Sequence, residues 1–137
     1  MATKSDNQNK APQQRRGSAD ASREAPMVRA KARFVRAAPR KVRLVADQVR
    51  GLPVTEARSL LQFSNRGAAR DVAKLIDSAA ANAENNHELV ADDLLIAEIN
   101  VDEGPILKRW RARARGRATR IERKTSHVSV ALMPTAD

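Results

Sequence analysis

The chain of 137 residues has no cysteine and no tyrosine, a single tryptophan, two phenylalanines, two histidines and five glycines. Without cysteine there can be no disulfide, thiolate metal site or thiol nucleophile, and the composition suits a reducing compartment, so a cytoplasmic location is expected. Hydrophobic residues make up 42% of the chain, but with so few aromatics the core must be built from Ala, Val, Leu and Ile. Such a core packs closely and leaves little room for a ligand cavity. No run of 18 apolar residues exists, which argues against a membrane-spanning helix. The first 26 residues lack the apolar stretch of a secretory signal, and Asp6, Asp20 and Glu24 do not suit an acid-poor transit peptide. No repeat with a period of 20 to 50 residues is visible, and no glycine-rich phosphate-binding loop occurs.

The net charge is +10, from 26 basic and 16 acidic side chains, and its distribution carries more information than its size. Residues 27–51 hold eight cations and one anion (+7), residues 52–104 four cations and ten anions (−6), and residues 105–125 nine cations and one anion (+8). Two strongly basic segments separated by an acidic one are the expected footprint of a polyanion bound on one side of the molecule.

Residues 1–26 mix Lys, Asn, Gln, Ser, Pro and Ala with no large apolar side chain after Met1, so a flexible polar tail is expected. From Val28 the pattern has period two: Val28, Ala30, Ala32 and Phe34 alternate with Arg29, Lys31 and Arg33, which predicts a strand apolar on one face and cationic on the other. Pro39 suits the first turn of a helix whose inward face is Val42, Val45, Ala46 and Val49, with Gly51 just past its end and Pro53 blocking continuation. A short second helix is predicted from about Val54 to Phe63, with Ala57, Leu60 and Leu61 inward. Ser64 is positioned to cap a third helix from about Asn65 to Asn85. Its stripe of Ala68, Ala69, Val72, Leu75, Ile76, Ala79 and Ala83 is rich in alanine, permits close approach and predicts a central position. Two further strand-like segments, Leu94–Val101 and Ile121–Leu132, are expected to pair antiparallel.

Between these last two segments every odd position from Arg109 to Arg117 is arginine. On a helix that spacing would scatter the guanidinium groups around the axis, whereas an extended chain aligns them on one side, opposite Trp110, Ala112, Ala114, Gly116 and Ala118. A hairpin with arms of roughly 18 to 20 residues reaches on the order of 60 Å, so half of it cannot touch a globular core. That half has almost nothing apolar to bury, and a lone two-stranded ribbon is marginal in water. Nucleic acid supplies what it lacks: guanidinium groups pair with phosphates and stack on bases, and small Ala and Gly residues let the backbones approach. Trp110 is placed either to stack on a base or to pack on the stems of Lys108 and Arg111.

Competing readings are weaker. For an enzyme, the only histidines are His87 and His127. Adjacent strand residues such as Ser126 and His127 point to opposite faces and cannot form a nucleophile–base pair. Asp92–Asp93 and Asp102–Glu103 suit solvated loops rather than a metal site. Neither catalytic residues nor a cofactor is expected. A free nucleic-acid-binding module is the second alternative, but no aromatic pair of an RNA-recognition sheet and no zinc-finger spacing is present. Co-sedimentation with a large RNA–protein particle would separate that module from an assembly protein.

Four stretches carry a resemblance: 38–46 (APRKVRLVA), 79–86 (AAANAENN), 100–105 (NVDEGP), and 116–118 (GRA) followed by 123–128 (RKTSHV). In this order and spacing they resemble the bacterial large-subunit ribosomal protein twenty-two family over about residues 27–133. The resemblance implies an α+β fold: a three-stranded antiparallel sheet packed on about three helices, with a long protruding β-hairpin arm at about residues 98–125 and a short tail at 134–137. It also implies a non-enzymatic constituent of the large subunit, one copy per ribosome, that binds 23S-type ribosomal RNA and supports subunit assembly. Its hairpin would line the exit tunnel beside ribosomal protein four, the macrolide site and the nascent polypeptide, with no membrane partner. The globular RNA contact is assigned to Arg29, Lys31, Arg33, Arg36, Arg40, Lys41 and Arg43. The arm contact is assigned to Lys108, Arg109, Trp110, Arg111, Arg113, Arg115, Arg117, Arg120, Arg123 and Lys124, with Leu107, Lys108, Arg109 and Trp110 at the tunnel-lining tip. Trp110, the denser arginine run and the longer polar N-terminal segment depart from the family pattern.

Overall fold

A computed structural model describes residues 27–135, so the expected N-terminal tail and residues 136–137 lie outside the described residues. The chain runs β1 (Val28–Val35), α1 (Pro39–Val49), α2 (Val54–Gln62), α3 (Ala68–His87), β2 (Leu94–Glu103), β3 (Leu107–Ala112), β4 (Ala118–Arg123) and β5 (Ser126–Pro134). Strands β1, β5 and β2 form an antiparallel sheet in that order, and β3 and β4 form a separate two-stranded ribbon. This is the α+β architecture expected, with one difference in its strands. The predicted segment Ile121–Leu132 is divided at Lys124–Thr125, its first part belonging to the ribbon and its second to the central strand of the sheet.

The sheet's inner face is built by alternation. On β5, Val128, Val130 and Leu132 are buried beside the buried hydroxyl of Ser126. On β2 the buried residues are Leu94, Ile96, Ile99 and Val101, and the three-residue step between Ile96 and Ile99 coincides with a β-bulge. One extra residue there returns the second half of the strand to the inward phase.

A second irregularity ends β1. Simple alternation would send Phe34 inward, but its φ of 58° places it in the left-handed region, and Val35 takes the paired position opposite Ser126. Phe34 is 60% exposed. Left-handed backbone costs a non-glycine residue roughly 1–2 kcal/mol, and leaving a Phe outside forgoes about 1.5–3 kcal/mol of burial.

The helices pack against the inner face. α1 begins with Pro39 in its first turn, buries Val42, Val45, Ala46 and Val49, and ends at Gly51, whose φ of 81° suits glycine. α2 buries Val54, Ala57 and Leu61, whereas Leu60, expected inward, is 38% exposed because it lies beside the face that meets the core. α3 buries the whole predicted alanine-rich stripe, with Ala80 added, and packs against β1, β5, α1 and α2. Its start is later than predicted. Gly67 occupies the cap position without a side-chain hydrogen bond, and the Ser64 hydroxyl instead accepts from the Arg66 N–H at 3.4 Å in a local turn.

Strand β2 has an outer edge, and the segment around α1 covers it. Gly51 N–H donates to the Ile96 carbonyl and Ile96 N–H to the Leu52 carbonyl, both at 3.0 Å. Further along, Arg50 Nη2 donates to the Ile99 carbonyl at 2.9 Å, and Arg43 donates to the Val101 carbonyl through Nη2 at 3.1 Å and Nε at 3.3 Å. An edge so occupied offers no free ladder to another strand. At the chain's far end, Thr135 donates from both its N–H and its hydroxyl to the Asp93 carbonyl, and Pro134 belongs to β5, so the ordered unit continues past residue 133.

Candidate nucleic-acid interface

The arm leaves the sheet at a tight junction. After the Glu103–Ser126 pair, Gly104 N–H donates to the Thr125 carbonyl at 2.9 Å, and the buried Thr125 hydroxyl donates to the Pro105 carbonyl at 2.6 Å. A Cβ on Gly104 would lie 2.5 Å from Thr125 Oγ1 and 3.1 Å from its carbonyl carbon, so only glycine lets the two chains approach this closely. The ribbon therefore starts beyond residue 103. Residues 98–103, counted with the arm in the sequence reading, lie in the sheet.

Beyond the junction, β3 and β4 pair from Leu107–Arg123 to Ala112–Ala118. Each strand of six residues extends about 20 Å. Only Leu107 and Ile121 are partly covered; the other side chains of the two strands are exposed. In this register Leu107, Arg109 and Arg111 share one face with Thr119, Ile121 and Arg123, and Lys108, Trp110 and Ala112 share the other with Ala118, Arg120 and Glu122. Leu107 and Ile121 are thus diagonal neighbours.

Two details of the sequence reading change here. Arginines were expected to line one side from Arg109 to Arg117, but the chain reverses within the run: Arg113 N–H donates to the Arg117 carbonyl at 2.7 Å, and Arg115 and Gly116 have positive φ. The alternation holds for Arg109 and Arg111, and Arg113, Arg115 and Arg117 form the apex. Consequently Leu107, Lys108, Arg109 and Trp110, assigned to the tip, lie along β3, with Leu107 at its root. The second change concerns Trp110. Its neighbour is the Arg120 guanidinium, 5.5 Å from the ring centre, and Arg111 is on the opposite face. An exposed cation–π contact of this kind contributes about 0.5–1 kcal/mol.

On the globular part, Arg29, Lys31 and Arg33 follow one another along β1 with exposed side chains, and Arg40 is exposed on α1. The two basic segments meet in a groove between the starts of α1 and α3 and strand β4, where Arg36, Lys41, Arg66, Arg123 and Lys124 outnumber the carboxylates Asp71 and Glu122. Arg66 was not anticipated, because it stands in a segment of net negative charge and only the packing of α3 brings it to the groove. Arg43 is a different case. It is exposed like the others, but its guanidinium also donates to the Val101 carbonyl and so holds the edge of β2.

Among the described residues the ion pairs are Arg50–Asp47 and Arg58–Asp77, both at 2.7 Å, and neither arginine had been assigned to RNA. Among the described residues none of the assigned cations is paired with a carboxylate. The enzyme alternative finds no support in geometry: the Ser126 hydroxyl donates inward to the Ala37 carbonyl at 3.1 Å, while His127 Nδ1 on the other face accepts from the Phe34 N–H at 3.1 Å. Among the described residues no group of His, Asp and Glu is arranged to hold a metal.

A small α+β domain carrying an exposed cationic ribbon and a second, largely cationic groove defines a class, the basic domains with an extended arm. Comparison narrows the class. Residues 30–133 match the family model of ribosomal protein L22p/L17e. The large ribosomal subunit protein uL22 of Rubrobacter xylanophilus is 53% identical over 105 residues, covering 77% of this chain and 83% of the relative. The uL22 of Thermus thermophilus is 54% identical over 101 residues (74% and 89%), and that of Desulfitobacterium hafniense 51% over 102 residues (74% and 90%). The chain belongs to the ribosomal protein L22p/L17e family. It is a structural, non-enzymatic ribosomal protein.

Proposed function

We propose that the chain binds 23S-type ribosomal RNA in the large subunit of the cytoplasmic ribosome and supports subunit assembly. On this reading the groove and β1 cations neutralise phosphates at the subunit surface, and the β3–β4 ribbon threads inward through RNA. Its apex at Arg113–Arg117 and the flank at Leu107–Trp110 would line the nascent-peptide tunnel beside ribosomal protein four. The observation that supports this reading is the ribbon: six-residue strands with exposed arginines, no carboxylate partners among the described residues and only Leu107 and Ile121 partly covered. A ribbon of that kind is marginal alone, and RNA supplies both the counter-charge and the surface that would order it.

The test is the affinity of the full chain for a large-subunit ribosomal RNA transcript between 50 and 200 mM salt. Neutralising about 6–10 phosphates predicts a loss of roughly 10³–10⁵ in affinity across that range. Replacing Arg109, Arg111 and Arg113 together by alanine is expected to lower the slope of log affinity against log salt by about 2–3. A response flat in salt would sink the reading. Cross-linking of a stalled nascent chain to the ribbon in assembled ribosomes tests the tunnel assignment separately.

A further inference from the structure

The ribbon and groove explain why the protein would hold RNA phosphates, but they leave Phe34 unexplained. It is a large aromatic side chain, 60% exposed, on left-handed backbone at the end of a strand whose pattern would otherwise bury it. The conformation is held from outside the strand: the Phe34 N–H donates to His127 Nδ1 at 3.1 Å, and the two rings meet edge to face with centroids 5.1 Å apart. The bulge therefore fixes the ring's position as well as exposing it. Around it lies a shallow hollow on the sheet's open face, lined also by Lys31, Arg33, Ser129 and Asp102. Asp102 stands opposite His127 in the β2–β5 register.

We propose that Phe34 is a base-stacking residue: its outward ring takes an unpaired base of RNA whose adjoining phosphates engage Lys31 and Arg33. The proposal rests on the RNA-binding reading above and adds a contact of a different kind. An aromatic face accepts any base, and neighbouring cations attract the backbone on either side of it. Asp102 repels phosphate and offers acceptors to base amino groups, which favours a base edge in the hollow over the backbone. His127, braced edge-on against Phe34, acts as a positioning residue. A buried or disordered phenylalanine would serve none of this, and a strand continued in simple alternation would have no ring to present.

The experiment compares full-length wild type, Phe34→Ala, Phe34→Gly and Phe34→Tyr for binding to the large-subunit ribosomal RNA transcript, over a salt series, with melting temperatures measured on the same samples. Loss of one stacked base predicts about 5- to 100-fold weaker binding for the Ala and Gly variants, with the salt slope unchanged because no cation is lost. Tyr should keep wild-type affinity. The Gly variant should melt no lower than wild type, since glycine accepts the positive φ without strain, and this separates a lost contact from a damaged fold. Ala and Gly variants that bind like wild type, on a background where wild type shows its steep salt dependence, would overturn the stacking role alone. A wild type with no steep salt dependence would overturn the RNA reading and this contact with it.

Discussion

The long hairpin from β2 to β5 has two halves of opposite character. Its inner half, β2 with β5, sits in the sheet and buries Ile96, Ile99, Val130 and Leu132 against the helices. The outer half, β3 with β4, takes up antiparallel pairing again past Gly104 and Thr125, but among the described residues only Leu107 and Ile121 of its strands are even partly covered. Backbone pairing is common to both halves, so it cannot be what distinguishes them. The difference is the apolar layer, and it teaches that a ladder is stabilised in water by what covers its face.

Truncating matched isoleucines gives the sharpest test of that contrast. Ile99→Ala, in the inner half, is expected to cost about 2–5 kcal/mol in urea denaturation, as a buried truncation does. Ile121→Ala, its counterpart in the ribbon, should cost under about 1 kcal/mol. Equal losses would show that the ribbon is part of the cooperative fold. At the junction between the halves, Gly104→Val forces a side chain into Thr125 and should destabilise by about 1–3 kcal/mol, read as a fall in melting temperature. An unchanged melting temperature would mean that the two chains can separate there at no cost. The smallest effect is expected from excising residues 107–123 and closing the gap with a short glycine-rich turn. Stability of the remaining domain should change by no more than about 0.5 kcal/mol, while RNA affinity falls steeply; a large thermal loss would assign the ribbon a place in the core.

The helices were legible because burial imposes a period. Val42, Val45, Ala46 and Val49, and the alanine stripe from Ala68 to Ala83, repeat at helical spacing in the sequence and are buried in the structure. Their boundaries were less so: Ser64 is chemically able to cap a helix, but the chain turns locally around it and the helix starts at Ala68. The three-stranded sheet was legible in the same way, up to its bulges. A bulge adds one residue without changing composition, so the outward turn of Phe34 left no trace in the alternation. For the interface, the charge blocks marked both basic segments. They could not distinguish Arg43, whose guanidinium holds a strand edge, from Lys41, two residues away and open to the groove.

The arginine-rich segment from Arg109 to Arg117 predicts by its spacing an arm that projects from the core and is poor in apolar residues, although only Arg109 and Arg111 lie on an extended strand. Charge segregation likewise marks the two basic segments on which the proposed polyanion contact rests. Where the arm turns, which arginines share a face, that Trp110 lies under Arg120, and that Arg66 joins Arg123 and Lys124 were decided only by tertiary structure. The physical reason is that periodicity and charge are properties of neighbours along the chain. Register, reversal and convergence depend instead on which distant segments share a core, and here the three-stranded sheet and α3 make that choice.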